Sequence, residues 1–420
     1  MVSFVDEAKA ESLEAILEAT QLKEDPASSV QRVVVTGCMA QRYSSDLSDA
    51  IPEADLFVGF QNYEGLPGSI REALAAPGGD ASRQAKRQRV QVGDATVPFR
   101  PEVERHRLTP AHTAYIRVAE GCNHACSFCA IPSWRGRFRS KPWDAVVAEA
   151  AGLVASGVKE LCLIAEDTNQ YGQDVRGGAG LAELLRELGR LEGLRWMRLL
   201  YCYPSYFTEE LIDEIATNPK VCKYVDIPLQ HICNLTLLAM NRPPREHTER
   251  LLRKLRERIP GLVLRTTFIS GFPGESEAQH AELVAFAREF AFERMGAFAY
   301  SAEEGTPAAS LPEQVEEGVR QARRDELISL QQDIGQEFAE SLVGREVDVL
   351  VDGYNEEGEL VGRTQWDAPD VDPLVFLAEA PAGLPALEAG QLRRCIVTGS
   401  SLFDLEAHPV AQSVVEFPIG

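Results

Sequence analysis

The chain has 420 residues, 45% apolar and 25% charged, with 42 basic against 64 acidic side chains and a net charge of −22. That length supports two or three domains with a substantial core, and no apolar run approaches the ~18 residues of a membrane span. The acidic balance argues against a phosphate backbone as main partner, which needs basic surface to displace counterions, and suits a basic protein better.

The opening MVSFVDEAKAESLEAILEAT has no basic region followed by an apolar run, so it does not read as a secretory signal, and it is too acidic for a transit peptide. Nine cysteines form no pattern of pairs and read as reduced thiols. Cys162, Cys202, Cys222, Cys233 and Cys395 are scattered and read as small core residues.

The first 75 residues read as helix 5–24, strand 32–37 (RVVVTG), helix 41–50, strand 54–60 (ADLFVGF) and helix 63–75. This α/β pattern opens on a helix with no strand before it, so residues 1–75 read as an incomplete N-terminal domain. Residues 76–107, rich in Gly, Pro, Arg and Gln, read as a linker with room for one hairpin. From 108 to about 310 the βα alternation is regular, within a barrel domain expected over 108–338. Its strand-like runs are TAYIRVAE, KELCLIAED, LRWMRLLY, CKYVDIPL, LVLRTTFIS and RMGAFAYS, and a long charged helix over 311–340 closes the segment. Six parallel strands with crossover helices predict an open or partial barrel, with its chemistry at the C-terminal ends of the strands. Residues 339–410 change to short alternating runs broken by Gly and Pro, a small antiparallel β domain.

Residues 119–132, AEGCNHACSFCAIP, hold Cys122, Cys126 and Cys129 at C-x3-C-x2-C spacing, just after the first barrel strand. Zinc wants four ligands, usually as paired units far apart. No fourth is evident here, since His124 lies inside the loop. A cubane iron–sulfur cluster takes thiolates. Three of them would leave one iron open to a substrate, and Phe128 would pack against the cluster and exclude water. On spacing alone a cluster fits better than zinc, which stays as the alternative.

The spacing and its flanks resemble the methylthiotransferases of the radical S-adenosylmethionine class. GCNHACSFCAIPSWRGRFRSKP, AEDTNQYGQDV, YCYPSYFTEELIDEIA, YVDIPLQH, RTTFISGFPGE and AYSAEEGTPAA stand in the family's order over nearly the whole chain. Within the family the resemblance is closest to the branch that modifies an aspartate of small-subunit ribosomal protein twelve. It implies a partial (β/α)6 barrel and a C-terminal TRAM-type domain. It also implies that Cys122, Cys126 and Cys129 bind a 4Fe–4S cluster whose open iron chelates S-adenosylmethionine. The reduced cluster would split the sulfonium, and the resulting 5′-deoxyadenosyl radical would take hydrogen from an unactivated carbon, the β-carbon of the aspartate, to which a methylthio group is attached. The implied partners are a basic ribosomal protein and an electron donor such as flavodoxin or ferredoxin, with no membrane. The implied compartment is the cytoplasm, or an organelle such as a plastid.

At the fifth barrel strand, the resemblance implies that Gly271, Pro273 and Gly274 let the backbone approach the adenosine moiety, with Glu275 following. The plain alternative is a tight turn with no ligand. Glu166, Asp167 and Thr168 end the second strand and would contact cofactor or substrate, or cap the next segment. Gln230 and His231 end the fourth, where the histidine is a polar contact or a satisfied core residue. No catalytic residue can be named from the sequence.

Sister enzymes modify adenosine in transfer RNA and use the TRAM domain to hold nucleic acid. From Ser341 to His408 there are thirteen acidic residues and four basic ones, all arginine, a field that repels phosphate and attracts a basic protein. The protein substrate is therefore expected, with transfer RNA as the alternative. Family members also carry a second cubane cluster held by three N-terminal cysteines. Only Cys38, in VVVTGCMAQRY, matches one of those positions, and Val2 stands where another cysteine belongs. Two expectations follow: a fragment begun at an internal methionine, or a one-cluster chain that binds the ribosomal protein without inserting sulfur.

Overall fold

The computed structural model describes residues 6–75, 89–94, 99, 107–175, 177–379 and 386–414. The chain divides into two units. The first comprises Met1–Arg100, Gly121–Arg137 and Ser301–Ser310; the second comprises Pro101–Glu120, Phe138–Tyr300 and Leu311–Gly420. Val2 and most of the expected linker lie outside the described residues.

In the first unit, strands β1 (Val34–Thr36), β2 (Leu56–Val58) and β3 (Val90–Gln91) form a parallel sheet in the order β1-β2-β3. The opening helix Asp6–Glu24 presents Leu13, Ile16 and Ala19 at three-residue spacing, one face of a helical period. These pack on the buried Val33, Val35, Leu47 and Phe57. The next helix begins at Cys38, three residues earlier than expected, directly after Gly37 at φ 97°. Val90–Gln91 falls where a hairpin had room, yet it pairs in parallel with β2.

The second unit holds six parallel strands: β4 (Thr113–Arg117), β7 (Glu160–Ile164), β8 (Trp196–Leu199), β9 (Val221–Asp226), β10 (Val263–Ser270) and β11 (Arg294–Ala299). They are ordered β11-β10-β9-β8-β7-β4. The short β5 (Ala119–Glu120) and β6 (Arg139–Ser140) pair antiparallel beside them. Alternation along each strand sorts the side chains into two cores, as a period of two requires. Leu161, Leu163, Met197 and Leu199 meet the helices, whereas Cys162, Ile164, Trp196 and Leu200 face inward. The five scattered cysteines are all buried, as expected.

The helix Glu317–Leu342 packs Leu327, Leu330 and Ile334 into the outer core of the barrel, and its last residues, Ala339 and Leu342, into the β domain. That domain is a closed barrel in the order β12-β13-β14-β16-β15, formed by β12 (Glu346–Tyr354), β13 (Leu360–Thr364), β14 (Val375–Leu377), β15 (Leu392–Ser401) and β16 (Asp404–Val414). Every pairing is antiparallel except β14 with β16.

The segment after β13 enters the inner face of the half-barrel at the N-terminal ends of its strands. Ala368 is fully buried there with Trp196, Tyr224 and Val263, and Trp366 donates from Nε1 to the Gly261 carbonyl at 3.0 Å. Around this floor lies a seam of buried charge. Arg363 pairs with Asp352 and with Glu160 at 2.8 Å each, and Arg198 pairs with Glu160 at 2.9 Å. Arg294 pairs with Asp367 at 2.6 Å, and Arg265 with Asp226 at 3.2 Å and Asp372 at 3.5 Å. His112 Nε2 stands 2.8 Å from Asp352.

Candidate active site

The three-cysteine loop lies in the first unit, where two local features shape it. Gly121, at φ 76°, turns the chain so tightly that a Cβ would strike the carbonyls of Gly136 and Arg137, so only glycine fits. Hydrogen bonds from Cys122 N to Gly136 O (3.2 Å) and from Cys129 N to Cys126 O (3.1 Å) then set the loop, and Ala308 N donates to Ser127 O at 2.9 Å. Cys122, Cys126 and Cys129 are all partly exposed, and none of the nine cysteines forms a disulfide. Among the described residues, no three His, Cys, Asp or Glu side chains converge on a point that could hold one metal ion. Three free, partly exposed thiols on one loop suit a cluster in which each thiolate takes its own iron.

Cys38 joins this loop's neighbourhood within the same unit. It packs with Phe60, Ala130 and Trp134, next to the helix Ile131–Arg135 that follows Cys129, and its Sγ accepts from Arg135 Nη2 at 3.5 Å. The Arg135 guanidinium lies 4.3 Å from the centre of the Phe60 ring. The sequence reading missed Glu303, from AYSAEEGTPAA. It is fully buried, held by Lys9 Nζ (2.7 Å), Tyr43 Oη (2.6 Å) and Arg42. Desolvation, then the bond to Glu303, pushes the Tyr43 phenol well above its ordinary pKa. AYSAEEGTPAA was visible as a motif, but its partners sit some 260 positions away.

In the second unit, the SGFPGE turn follows β10. Gly271 has φ 71°, and a Cβ there would lie 3.0 Å from Arg320 Cα and closer still to its side chain, so glycine is required by packing against the helix Glu317–Leu342. Gly274, at φ 80°, has open space where a Cβ would project, apart from a Glu313 carboxylate oxygen at 3.6 Å. Glu275 is 4% exposed and turns inward. Its Oε2 accepts from Gly271 N (2.8 Å) and Phe272 N (3.3 Å), and its Oε1 pairs with Arg323 Nη1 at 2.9 Å. Burial raises the Glu275 pKa, but His231 and then Arg323 outweigh it, and the carboxyl ends below its ordinary value. The buried His231 accepts from Cys233 N at Nδ1, which leaves Nε2 carrying the proton, 3.4 Å from Glu275. Glu275 and His231 thus shape the turn from behind.

At the end of β7, Asp167 and Thr168 are fully buried and Glu166 is partly exposed, its charge acting on Arg139. Thr168 N donates to Tyr201 O at 3.0 Å, and Asn169 exchanges two bonds with Tyr203 at 2.7 and 2.8 Å. These residues lock the YCYPS loop after β8. Gln230, at φ 74°, continues the ladder from Thr267 O to Ile269 N.

Residues 116–287 match the radical SAM superfamily, residues 343–410 the TRAM domain, and residues 2–59 the Uncharacterized protein family UPF0004. The chain is 42% identical over 406 residues to a protein of Geobacter sulfurreducens named ribosomal protein uS12 methylthiotransferase RimO, covering 96% of this chain and 87% of that one. It is 43% identical over 413 residues to the protein of the same name from Syntrophotalea carbinolica, covering 98% and 87%. Among solved structures, the radical S-adenosylmethionine methyltransferase TsrM of Kitasatospora setae matches at a TM-score of 0.44 and 21% identity, over 67% of this chain and 64% of that one.

Proposed function

The chain belongs to the RimO family of uS12 methylthiotransferases, within the radical SAM superfamily, and from that premise we propose that it attaches a methylthio group to the β-carbon of an aspartate in a basic ribosomal protein of the uS12 class. The observation that carries this reading is the loop of three reachable thiols, Cys122, Cys126 and Cys129, immediately after the first barrel strands, in a chain related to these enzymes over nearly its full length. When bound, a 4Fe–4S cluster and S-adenosylmethionine supply a carbon-centred radical able to take a hydrogen atom from an unactivated carbon. The chain's own residues do the rest. The three cysteines would hold the cluster. The Gly271–Gly274 turn offers backbone to the cofactor, and Glu275, bonded by Gly271 and Phe272, keeps that turn in shape. Glu166, partly exposed at the end of β7, is the carboxylate this reading places toward cofactor or substrate.

Charge favours a protein substrate over transfer RNA. Asp352, Asp367 and Asp372 are tied into the floor of the barrel with Arg363. The rest of Ser341–His408 still carries ten acids against three arginines. Glu359, Asp404 and Glu406 line a groove of about 530 Å³ with Phe376 and Leu377. Such a surface repels phosphate and attracts a lysine-rich protein. A flavodoxin or ferredoxin would supply the electron. The bacterial relatives favour the cytoplasm, and no described helix is long and apolar enough to cross a membrane.

A second reading is that one cluster assembles, on Cys122, Cys126 and Cys129, and that S-adenosylmethionine is cleaved without sulfur insertion. The test is anaerobic reconstitution of the full chain, iron and sulfide analysis, then incubation with S-adenosylmethionine, a reductant and either purified uS12 or transfer RNA, read by mass spectrometry. A methylthio mass increase on an aspartate supports the main reading. About four irons per chain with cofactor cleaved and uS12 unmodified supports the second. Modified adenosine in transfer RNA, with uS12 untouched, overturns the main reading.

A further inference from the structure

Tyr201 stands at the C-terminal end of β8 and is 51% exposed, with a backbone φ of 59°. A bulky residue in the left-handed region is a genuine outlier, and it persists only where its surroundings over-determine it. Here they do. Its N–H donates to Asp226 Oδ2 at 3.0 Å, and its carbonyl accepts from Thr168 N at 3.0 Å. Asp226 is 1% exposed and is fixed in turn by Arg265 Nη1 at 3.2 Å. Arg265 Nε faces Asp372 Oδ1 at 3.5 Å, and Asp372 is anchored by the Tyr224 hydroxyl (2.7 Å) and Ala368 N–H (2.9 Å). A continuous line of polar contacts therefore runs from the β domain, at the floor of the barrel, to one strained aromatic at its reacting rim.

A glycine at that φ would remove the strain, and the tyrosine kept there leaves its ring half-exposed at the end of the strand. Such a ring suits a basic polypeptide segment, whose Lys or Arg cations bind aromatic faces. We propose that Tyr201 is a specificity-determining contact for the basic substrate protein, and that Asp372 of the β domain is a positioning residue that sets it through Arg265 and Asp226. The proposal rests on the uS12 reading above. It assigns the β domain a role in the geometry of the rim as well as in charge.

The test measures the affinity of the reconstituted full chain for purified uS12 by titration calorimetry, with S-adenosylmethionine affinity and thermal melting followed on the same samples. Tyr201→Ala should weaken uS12 binding about tenfold, the loss of one cation–π contact, while S-adenosylmethionine affinity holds. Tyr201→Phe should restore binding, because it keeps the ring. Asp372→Asn should weaken uS12 binding severalfold although Tyr201 is present. Should Asp372→Asn melt too early to assay, Arg265→Lys breaks the same line from the barrel side and should give the same result. Wild-type chain that binds uS12, with Tyr201→Ala binding equally well, overturns the inference alone. Loss in Tyr201→Ala but none in Asp372→Asn or Arg265→Lys overturns the positioning role. Wild-type chain that does not bind uS12 overturns the proposed function and this inference with it.

Discussion

Arg363→Met should destabilise the chain more than any exposed-charge change, because it takes one of two partners from each of two carboxylates, Glu160 and Asp352. Arg363 is 3% exposed and bridges β13 to Glu160 of β7 and Asp352 of β12, with N–O distances of 2.8 Å to each. Breaking a buried pair by removing one partner costs about 3–5 kcal/mol, most of it the uncompensated charge. Two features pull the value toward the lower end: Glu160 keeps Arg198 at 2.9 Å, and Asp352 keeps His112 at 2.8 Å. About 3 kcal/mol corresponds to a fall in Tm of roughly 6–12 °C for a unit of this size. Glu160→Gln in the Arg363→Met background removes one of these charges, so the double variant should lose less than the sum of the singles, with a coupling of about 1–3 kcal/mol. Urea melts of the four proteins, followed by far-UV circular dichroism and tryptophan fluorescence, check this. A single-variant loss under about 1 kcal/mol, additive losses, or a wild-type chain whose β domain unfolds in a separate step would refute the seam as a source of cohesion.

Two further outcomes follow from the geometry. Gly271→Ala places a Cβ at φ 71° against Arg320. It should cost about 1–3 kcal/mol and weaken S-adenosylmethionine binding, read by melting and by calorimetry on the reconstituted chain; unchanged affinity would remove the turn from the cofactor site. The pH dependence has a definite sign. Burial raises the pKa of Glu160, Asp352 and Glu275, yet Arg363 and Arg198, His112 and Arg363, and His231 and Arg323 respectively bring each below its ordinary value. Depressed carboxylates contribute stability that is complete above the ordinary carboxylate range and lost as pH falls through the folded values. Asp226 and Asp348, raised chiefly by burial, work in the opposite direction. Tm should therefore hold down to about pH 5 and fall below about pH 4, with a shallower fall in Glu275→Gln; parallel wild-type and variant curves would refute the assignment.

The barrel strands were legible because each alternates at period two between turn residues, and the structure divides Leu161 and Leu163 from Cys162 and Ile164 along the same period. The cysteine loop was legible because its chemistry is local. What sequence could not give is pairing at long range. Nothing near Glu160 announces Arg363, and nothing near Asp226 announces Asp372, because buried ion pairs follow no local period. Glu275 illustrates the same limit at short range: the turn was visible, but only packing reveals that its carboxylate faces Gly271 N–H and Arg323. Val90–Gln91 was missed as a sheet member because two residues carry no alternation to detect.

The floor segment also constrains how this chain can diverge. Arg294 of the barrel has its partner in Asp367, and Arg265 one of its two in Asp372, both inside a loop of the β domain. A chimera that carried in a relative's β domain without acids at these two places would leave Arg294 unpaired and Arg265 with Asp226 alone within the half-barrel, even if the graft folded perfectly. The domain is therefore not an exchangeable cassette. It and the barrel must change together, position by position, and substrate preference encoded on one will be inherited with the other.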